Sequence, residues 1–264
     1  MAEHTRIEKV TEGLVAALAT AVEDLQITED ELRAGLDYLT RVGKADEFQL
    51  LSDVLHLSVL VERITHGEEA EGLPANVEGP FYKPRAPKLD PPYALCPPDE
   101  PGEPLFVEIH IVSAGDGRPL SGALLDVWQA NDAGFYDNQD PTLGEFNLRG
   151  RMRTGEDGTL EFRTVKPPPY EIPKDGPVGE LLRLLGRHAF RPAHLHMKAS
   201  ADGHVPMTSM MYFEGDPWLE SDSIDSVKPA SVVALHLHES IDERNLGRPY
   251  ATCRADIALR PARS

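Results

Sequence analysis

Between Gly72 and Pro104 the sequence carries ten prolines in 33 residues, and no other feature restricts its fold as much. Proline lacks a backbone N–H and fixes φ, so this stretch can be neither a helix nor a central strand. It divides the chain into an N-terminal and a C-terminal part. Val77, Phe81, Tyr82, Tyr93 and Leu95 are spread through it, and such apolar anchors imply an ordered connector laid against a surface.

The two sides of the divide have different periods. Before it, Leu14, Leu18, Val22 and Leu25 fall three or four apart on one helical face. Thr28 and Glu31 have the spacing of a capping box at the start of a second helix. The run "DEFQLLSDVLHLSVLVERITHG" predicts one further helix, striped by Phe48, Leu51, Leu55 and Val59 and ended by Gly67. Leu50, Val54 and Leu57 extend its apolar surface to other faces, more than a small helical unit should expose, so part of it is expected to meet the next domain or a second subunit. After the divide the period is two. "LFVEIHIVS" sets Val107, Ile109 and Ile111 on one face and Glu108 and His110 on the other. The pairs Asp116-Gly117, Asp157-Gly158 and Asp202-Gly203 sit between such runs as hairpin loops do. The fold expected is mainly β: residues 1–71 a helical domain, 72–104 the proline-rich connector, and 105–264 a β-sandwich or barrel of short strands.

Composition narrows the partners. The 264 residues, 41% hydrophobic and 27% charged, suit an ordinary soluble globular protein of one large domain or a domain with an appendage. A formal net charge of -18 argues against nucleic acid and against an anionic membrane surface, which leaves a small-molecule partner. No leader or membrane-spanning run is expected. Two cysteines, Cys96 and Cys253, are too few for a disulfide scaffold or a thiolate metal site, and the expected compartment is the cytoplasm, with a single disulfide between them left open.

Chemistry enters with "RPAHLH". On a strand, residues two apart share a face, so His194 and His196 would stand side by side as a pair able to hold a metal. "ALHLHES" repeats the spacing at His236 and His238, and spacing alone does not choose between the pairs.

Four stretches settle the choice by likeness. "LLDVWQANDAGFYDNQD" (124–140), "FNLRGRMRTGEDGTLEFRTVKPPPY" (146–170), "LLGRHAFRPAHLH" (184–196) and "YFEGDPW" (212–218) resemble, in order and spacing, the intradiol ring-cleavage dioxygenases. They are most similar to the catechol, chlorocatechol and hydroxyquinol 1,2-dioxygenase branch. The resemblance covers most of residues 76–264, and helices before "VEGPFY" also suit that branch, where they form a dimer interface that in some relatives holds lipid. It implies a mononuclear non-haem Fe(III) held by Tyr136, Tyr170, His194 and His196, with no metal at His236 and His238. Phenolate is a hard anionic donor suited to a hard ferric ion, and imidazole completes a mixed shell. The implied reaction opens the ring of a catechol between its two hydroxyl-bearing carbons, inserting both atoms of O2 to give a cis,cis-muconate. Tyr170 is the implied departing tyrosinate, which accepts a catechol proton, and Arg191 the cation beside the ring. By the same resemblance the substrate pocket takes in Leu50, Asp53, Val54, Val77, Gly79, Phe81, Ser223 and Ile224. Met210 stands where the family usually has glutamine, exchanging a hydrogen-bond donor for a polarizable thioether, and this bears on substrate preference. Two rival classes are a β-sandwich binding module without chemistry and a zinc hydrolase using His194, His196, a carboxylate and water. Neither gives Tyr136 and Tyr170 a role.

Overall fold

The structure is a computed structural model that describes residues 5–67, 72–239, 244 and 246–262; the domain boundary expected at residue 71 lies just outside the described residues. The chain packs as two compact units, Met1–Glu47 and Phe48–Ser264.

The first unit is two helices, α1 (Arg6–Leu25) and α2 (Glu29–Lys44). Both open with a capping box: beside the expected one, in which Thr28 N–H donates to Glu31 Oε2 at 2.8 Å and Glu31 N–H to Thr28 Oγ1 at 3.3 Å, Thr5 and Glu8 form a second. α1 has no buried residue, and its apolar stripe is open to solvent, with Leu14, Leu18 and Leu25 each more than 60% exposed (61%, 66% and 73%).

The second unit begins with a departure from expectation. The helix expected to run to Gly67 is two, α3 (Phe48–Val54) and α4 (Leu57–His66), broken at His56, which takes the left-handed conformation at φ 60°. The break lets Leu50, Leu51, Asp53 and Val54 bury together while Phe48 and Leu55 remain exposed, so the buried face is not the predicted stripe. No glycine or proline marks it, which is why periodicity runs through it.

After the connector come β1 (Tyr93–Ala94), β2 (Pro104–Ser113), β3 (Leu124–Trp128), β4 (Arg149–Arg153), β5 (Thr159–Val165), β6 (Tyr170–Glu171), α5 (Pro177–Leu184), β7 (Phe190–Arg191), β8 (His194–Ser200), β9 (Met207–Phe213), β10 (Val232–Val233), β11 (His236–His238) and β12 (Tyr250–Leu259). They form two five-stranded sheets, ordered β1-β5-β2-β12-β11 and β10-β9-β8-β3-β4, with β6 and β7 as a separate pair. This is the β-sandwich. Its core lies between the sheets, with Val107, Ile109, Ile111, Phe162 and Ile257 from one and Leu125, Val127, Leu195, Met197, Met211 and Phe213 from the other. Asp202-Gly203 turns a hairpin between the paired β8 and β9, and Asp116-Gly117 turns a short one in which Val112 bridges Pro119 antiparallel and Ser113 N–H donates to Arg118 O at 2.8 Å. The β2–β3 and β4–β5 connections that hold Asp116-Gly117 and Asp157-Gly158 also carry the chain from one sheet to the other, since β2 pairs with β5 and β12 while β3 pairs with β4 and β8.

Alternation on the strands decides where the chemistry sits. If Leu195 and Met197 enter the core, His194 and His196 face away from it, as do Met210 and Tyr212 on β9 and Trp128 on β3. Strand register lines them up: Trp128 pairs with His196 and His196 with Met210, and His194 pairs with Tyr212. The connector lies over this outer face. Near its start Asn76 N–H donates to Thr208 O on β9 (2.8 Å), and further along Leu89 N–H donates to Arg151 O on β4 (2.9 Å), so it crosses the strands between. Phe81 and Tyr82 pack beneath it on Tyr136 and Trp128, with ring centroids 4.7 and 4.8 Å apart. Cys96 and Cys253 are buried and free.

Candidate active site

Each donor is held by its local chain. Tyr136 follows a tight turn in which Asn131 Oδ1 accepts from the N–H groups of Ala133 and Phe135 (3.0 and 2.9 Å) and Gly134 takes φ +85°. A Cβ on Gly134 would come within 3.0 Å of Tyr170 Cβ, so the turn brings the two tyrosines together. Tyr170 follows Pro167–Pro169 and pairs in β6 directly opposite Arg191 in β7. His194 lies 2.7 Å through Nδ1 from the Pro192 carbonyl, which assigns the proton to Nδ1 and leaves Nε2 as the lone-pair donor and acceptor. His196 is stacked on Trp128 at 4.8 Å and 9°.

These groups converge. His194 Nε2 lies 3.2 Å from His196 Nε2 and 3.5 Å from Tyr170 Oη, and the Tyr136 ring stands edge-on to both Tyr170 (5.7 Å) and His196 (6.2 Å). All four residues are buried, yet Tyr136 Oη has no hydrogen-bond partner. An orphaned buried hydroxyl is costly unless something else occupies its lone pairs. Burial and the Arg191 charge lower the His194 pKa to about 3, and burial with the neighbouring His194 and Arg191 lowers that of His196 well below its ordinary value, so both imidazoles are neutral, as metal ligands must be. Burial, then the neighbouring Tyr170, raises Tyr136; burial raises Tyr170 against the Arg191 charge. A bound trication reverses that balance and favours phenolate. Two imidazole nitrogens and two phenolic oxygens around one point fit a hard ferric ion. Among the described residues no group of three or more His, Cys, Asp or Glu side chains is placed to hold a metal, so the carboxylate that a zinc hydrolase would add is missing.

Arg191 is buried beside the donors and clamped on one edge. Its Nε donates to Asp222 Oδ1 (3.0 Å), and its Nη2 to Ser226 Oγ (2.7 Å), Tyr212 Oη (2.9 Å) and Asp222 Oδ2 (3.3 Å), with Met210 Sδ at 3.5 Å. Nη1, on the other edge, donates to His194 Nε2 at 3.2 Å. Burial alone would raise the Asp222 carboxyl, but the Arg191 charge and its hydrogen bonds hold it below the ordinary carboxylate range. Ser226 closes the clamp by donating to Asp222 Oδ2 at 2.6 Å.

A small cavity adjoins the donors, lined by Leu50, Asp53, Gly79, Phe81 and Ile224 together with Tyr170, Arg191 and His196. Gly79, at φ +74°, brings its backbone against His196; a Cβ there would stand 3.5 Å from the ring. Val54, Val77 and Ser223 are buried but do not line the cavity, and Met210 packs at the clamped edge of Arg191. His236 and His238 lie on the other sheet. Two larger depressions, about 520 and 480 Å³, are lined by other residues and hold none of the four donors. Asp222, Ser226 and Tyr212 are the residues that sequence reasoning missed. Period two on β9 points to Tyr212, two residues from Met210 on the same face; nothing in the run around Asp222 marks it.

Similarity to known proteins agrees with this geometry. A family profile described as "Dioxygenase" matches residues 77–261, and one described as "Catechol dioxygenase N terminus" matches residues 4–72. The chain belongs to the intradiol ring-cleavage dioxygenases. It is 41% identical over 229 residues to a hydroxyquinol 1,2-dioxygenase of a Rhizobium species, covering 84% of this chain and 77% of that protein. It is 35% identical to a chlorocatechol 1,2-dioxygenase of Rhodococcus opacus, covering 88% and 91%. Among solved structures, a hydroxyquinol 1,2-dioxygenase from Pseudomonas putida superposes with a TM-score of 0.89 at 34% identity, covering 99% of this chain and 94% of that one. Its branch is thus that of the catechol, chlorocatechol and hydroxyquinol 1,2-dioxygenases.

Proposed function

We propose that this intradiol dioxygenase works at a ferric centre held by Tyr136, Tyr170, His194 and His196, and that it cleaves a ring-substituted catechol or a hydroxyquinol to the corresponding cis,cis-muconate. The convergence of His194 Nε2, His196 Nε2 and Tyr170 Oη beside the unpartnered Tyr136 Oη carries this reading. Bound ferric iron supplies the covalent link through which the catecholate ring becomes reactive toward O2.

The remaining work falls to the side chains. Tyr170, in the cavity wall, takes a proton from a catechol hydroxyl at its Oη. Arg191 presents its guanidinium as a fixed cation to negative charge developing on the ring, and Asp222 and Ser226 hold it in place, so little reorientation is needed as that charge appears. Leu50, Phe81 and Ile224 hold the ring and exclude water. Asp53 contributes the only carboxyl of that lining, a hydrogen-bond partner for an additional ring hydroxyl. Met210 is expected to bear on substrate preference through its contact with Arg191.

The test is optical and elemental. Purified protein should be red-brown from tyrosinate-to-iron charge transfer and contain about one iron per chain by metal analysis, and it should turn over catechols with uptake of O2. A colourless protein carrying stoichiometric zinc would overturn the reading.

The open apolar stripe of α1 supports a homodimer through the N-terminal helices, with lipid as a further candidate occupant of that surface. Light scattering on the full-length protein should give twice the chain mass, and native mass spectrometry reads any retained lipid. The cytoplasm is the proposed compartment, consistent with two buried free thiols.

A further inference from the structure

Arg187 stands just past α5. Gly186, at φ +65°, ends that helix, and the N–H groups of Gly186 and Arg187 donate to Arg183 O and Leu182 O (3.1 and 2.9 Å). Val178 and Leu182 root α5 in the body, so the backbone of Arg187 has a fixed base. Its guanidinium joins two segments far apart in sequence. Nη1 donates to the carbonyl of Val54, the last residue of α3, at 2.9 Å. Nη2 donates to the carbonyl of Ser223 at 2.7 Å and lies 2.8 Å from His56 Nε2.

Both carbonyls lie next to residues that line the cavity. Leu50 and Asp53 line it from α3, and Ile224, next to Ser223, lines it from the opposite segment. At the break Leu51 O and Asp53 O accept from the N–H groups of Leu55 and His56 (both 2.9 Å), and Val54 O, the last carbonyl of α3, is the one that Arg187 satisfies. A planar guanidinium can hold two acceptors in fixed directions at once; an ammonium on a flexible stem offers a point charge without that fork. A second polar link between the walls, His56 Nδ1 to Asp225 Oδ2 at 3.8 Å, is longer and joins more exposed side chains.

We propose that Arg187 is a specificity-determining positioning residue: by stapling the Val54 and Ser223 carbonyls it sets the separation of the α3 wall from the Ile224 wall, and so the bulk of the ring substituent that the cavity admits. This rests on the reading of the cavity as the catechol site. Arg187 acts through Leu50, Asp53 and Ile224 and need not touch the substrate.

The experiment uses the iron-loaded full-length protein as Arg187→Met, which keeps the aliphatic length and removes the donors, and as Arg187→Lys. Two readouts are taken: the ratio of kcat/KM for 4-methylcatechol to that for catechol, and hydrogen–deuterium exchange of peptides covering 48–56 and 222–227. In Arg187→Met the ratio should rise about fivefold or more as bulk is better tolerated, with Arg187→Lys intermediate. Exchange should quicken in both segments together. An unchanged ratio in a folded variant overturns the proposal, as does faster exchange in only one segment, and a purely structural role would lower the melting temperature without moving the ratio. If Arg187→Met does not fold, Arg187→Lys decides by the same criteria. Should the wild type bind iron yet cleave no catechol, the proposed function fails, while the exchange data still report whether the staple exists.

Discussion

His194 and His196 on β8 and His236 and His238 on β11 have the same spacing and the same strand geometry in different surroundings. β8 is the central strand of its sheet, flanked by β9 and β3, so Trp128, Met210 and Tyr212 stand beside its histidines and the connector lies above them. β11 is an edge strand. His236 is exposed, while His238 stacks on Tyr250 at 4.6 Å and engages Thr252 Oγ1 through Nε2 at 3.0 Å. A strand aligns two imidazoles wherever the spacing occurs. What makes a site is the company that a central position can assemble and an edge cannot.

The largest effect should come from removing that company's central members. His194→Ala or His196→Ala should abolish iron retention, whereas His236→Ala and His238→Ala should keep the full metal content and cost at most about 1 kcal/mol of stability, as expected of a partly exposed stacked ring. Metal analysis of the four purified variants reads this directly, and equal loss from the second pair would collapse the contrast.

Next in size is the cation beside the first pair, Arg191. Arg191→Leu should retain iron and colour while kcat falls about 10²- to 10³-fold, the usual result of removing one preorganised electrostatic contact to the transition state. Single-turnover kinetics with catechol distinguish this from slow product release. Unchanged rates would take Arg191 out of the reaction.

A smaller loss is expected one contact further away. Asp222→Asn keeps the shape of the clamp but removes the charge that orients Arg191. Because hydrogen bonds to charged groups contribute about 1.5–3 kcal/mol, partial misorientation should cost roughly tenfold in kcat with KM little changed. Combining it with Arg191→Leu should add almost nothing, since Asp222 acts through Arg191; additive losses would show a separate role.

The finest distinction concerns Met210, whose sulfur accepts from Tyr212 Oη at 3.0 Å beside the same guanidinium. Met210→Gln should shift the ranking of catechol, 4-methylcatechol, a chlorocatechol and hydroxyquinol by a few-fold, within the about 1–3 kcal/mol that one small group in a pocket commands. An unaltered ranking of kcat/KM would remove Met210 from substrate choice.

Much of this molecule is legible in its sequence. Proline density locates the connector, period two locates β2 with its buried Val107, Ile109 and Ile111, and residue type with strand alternation puts His194 and His196 on a common face. These are local properties, written into each residue's backbone preferences and its neighbours two to four positions away. Likeness of four motifs then names Tyr136 and Tyr170, which no local rule would choose over other tyrosines. Only the tertiary structure decided the rest. The break at His56 depends on which α3 side chains find burial; the connections that hold two of the three Asp-Gly pairs cross between sheets because pairing partners lie far away in sequence; and the Asp222, Ser226 and Tyr212 clamp on Arg191 joins residues up to 35 positions apart. Contacts across such distances depend on which strands become neighbours, and strand neighbourhood is settled by burying two apolar faces together, a property of the whole chain that no window of the sequence contains.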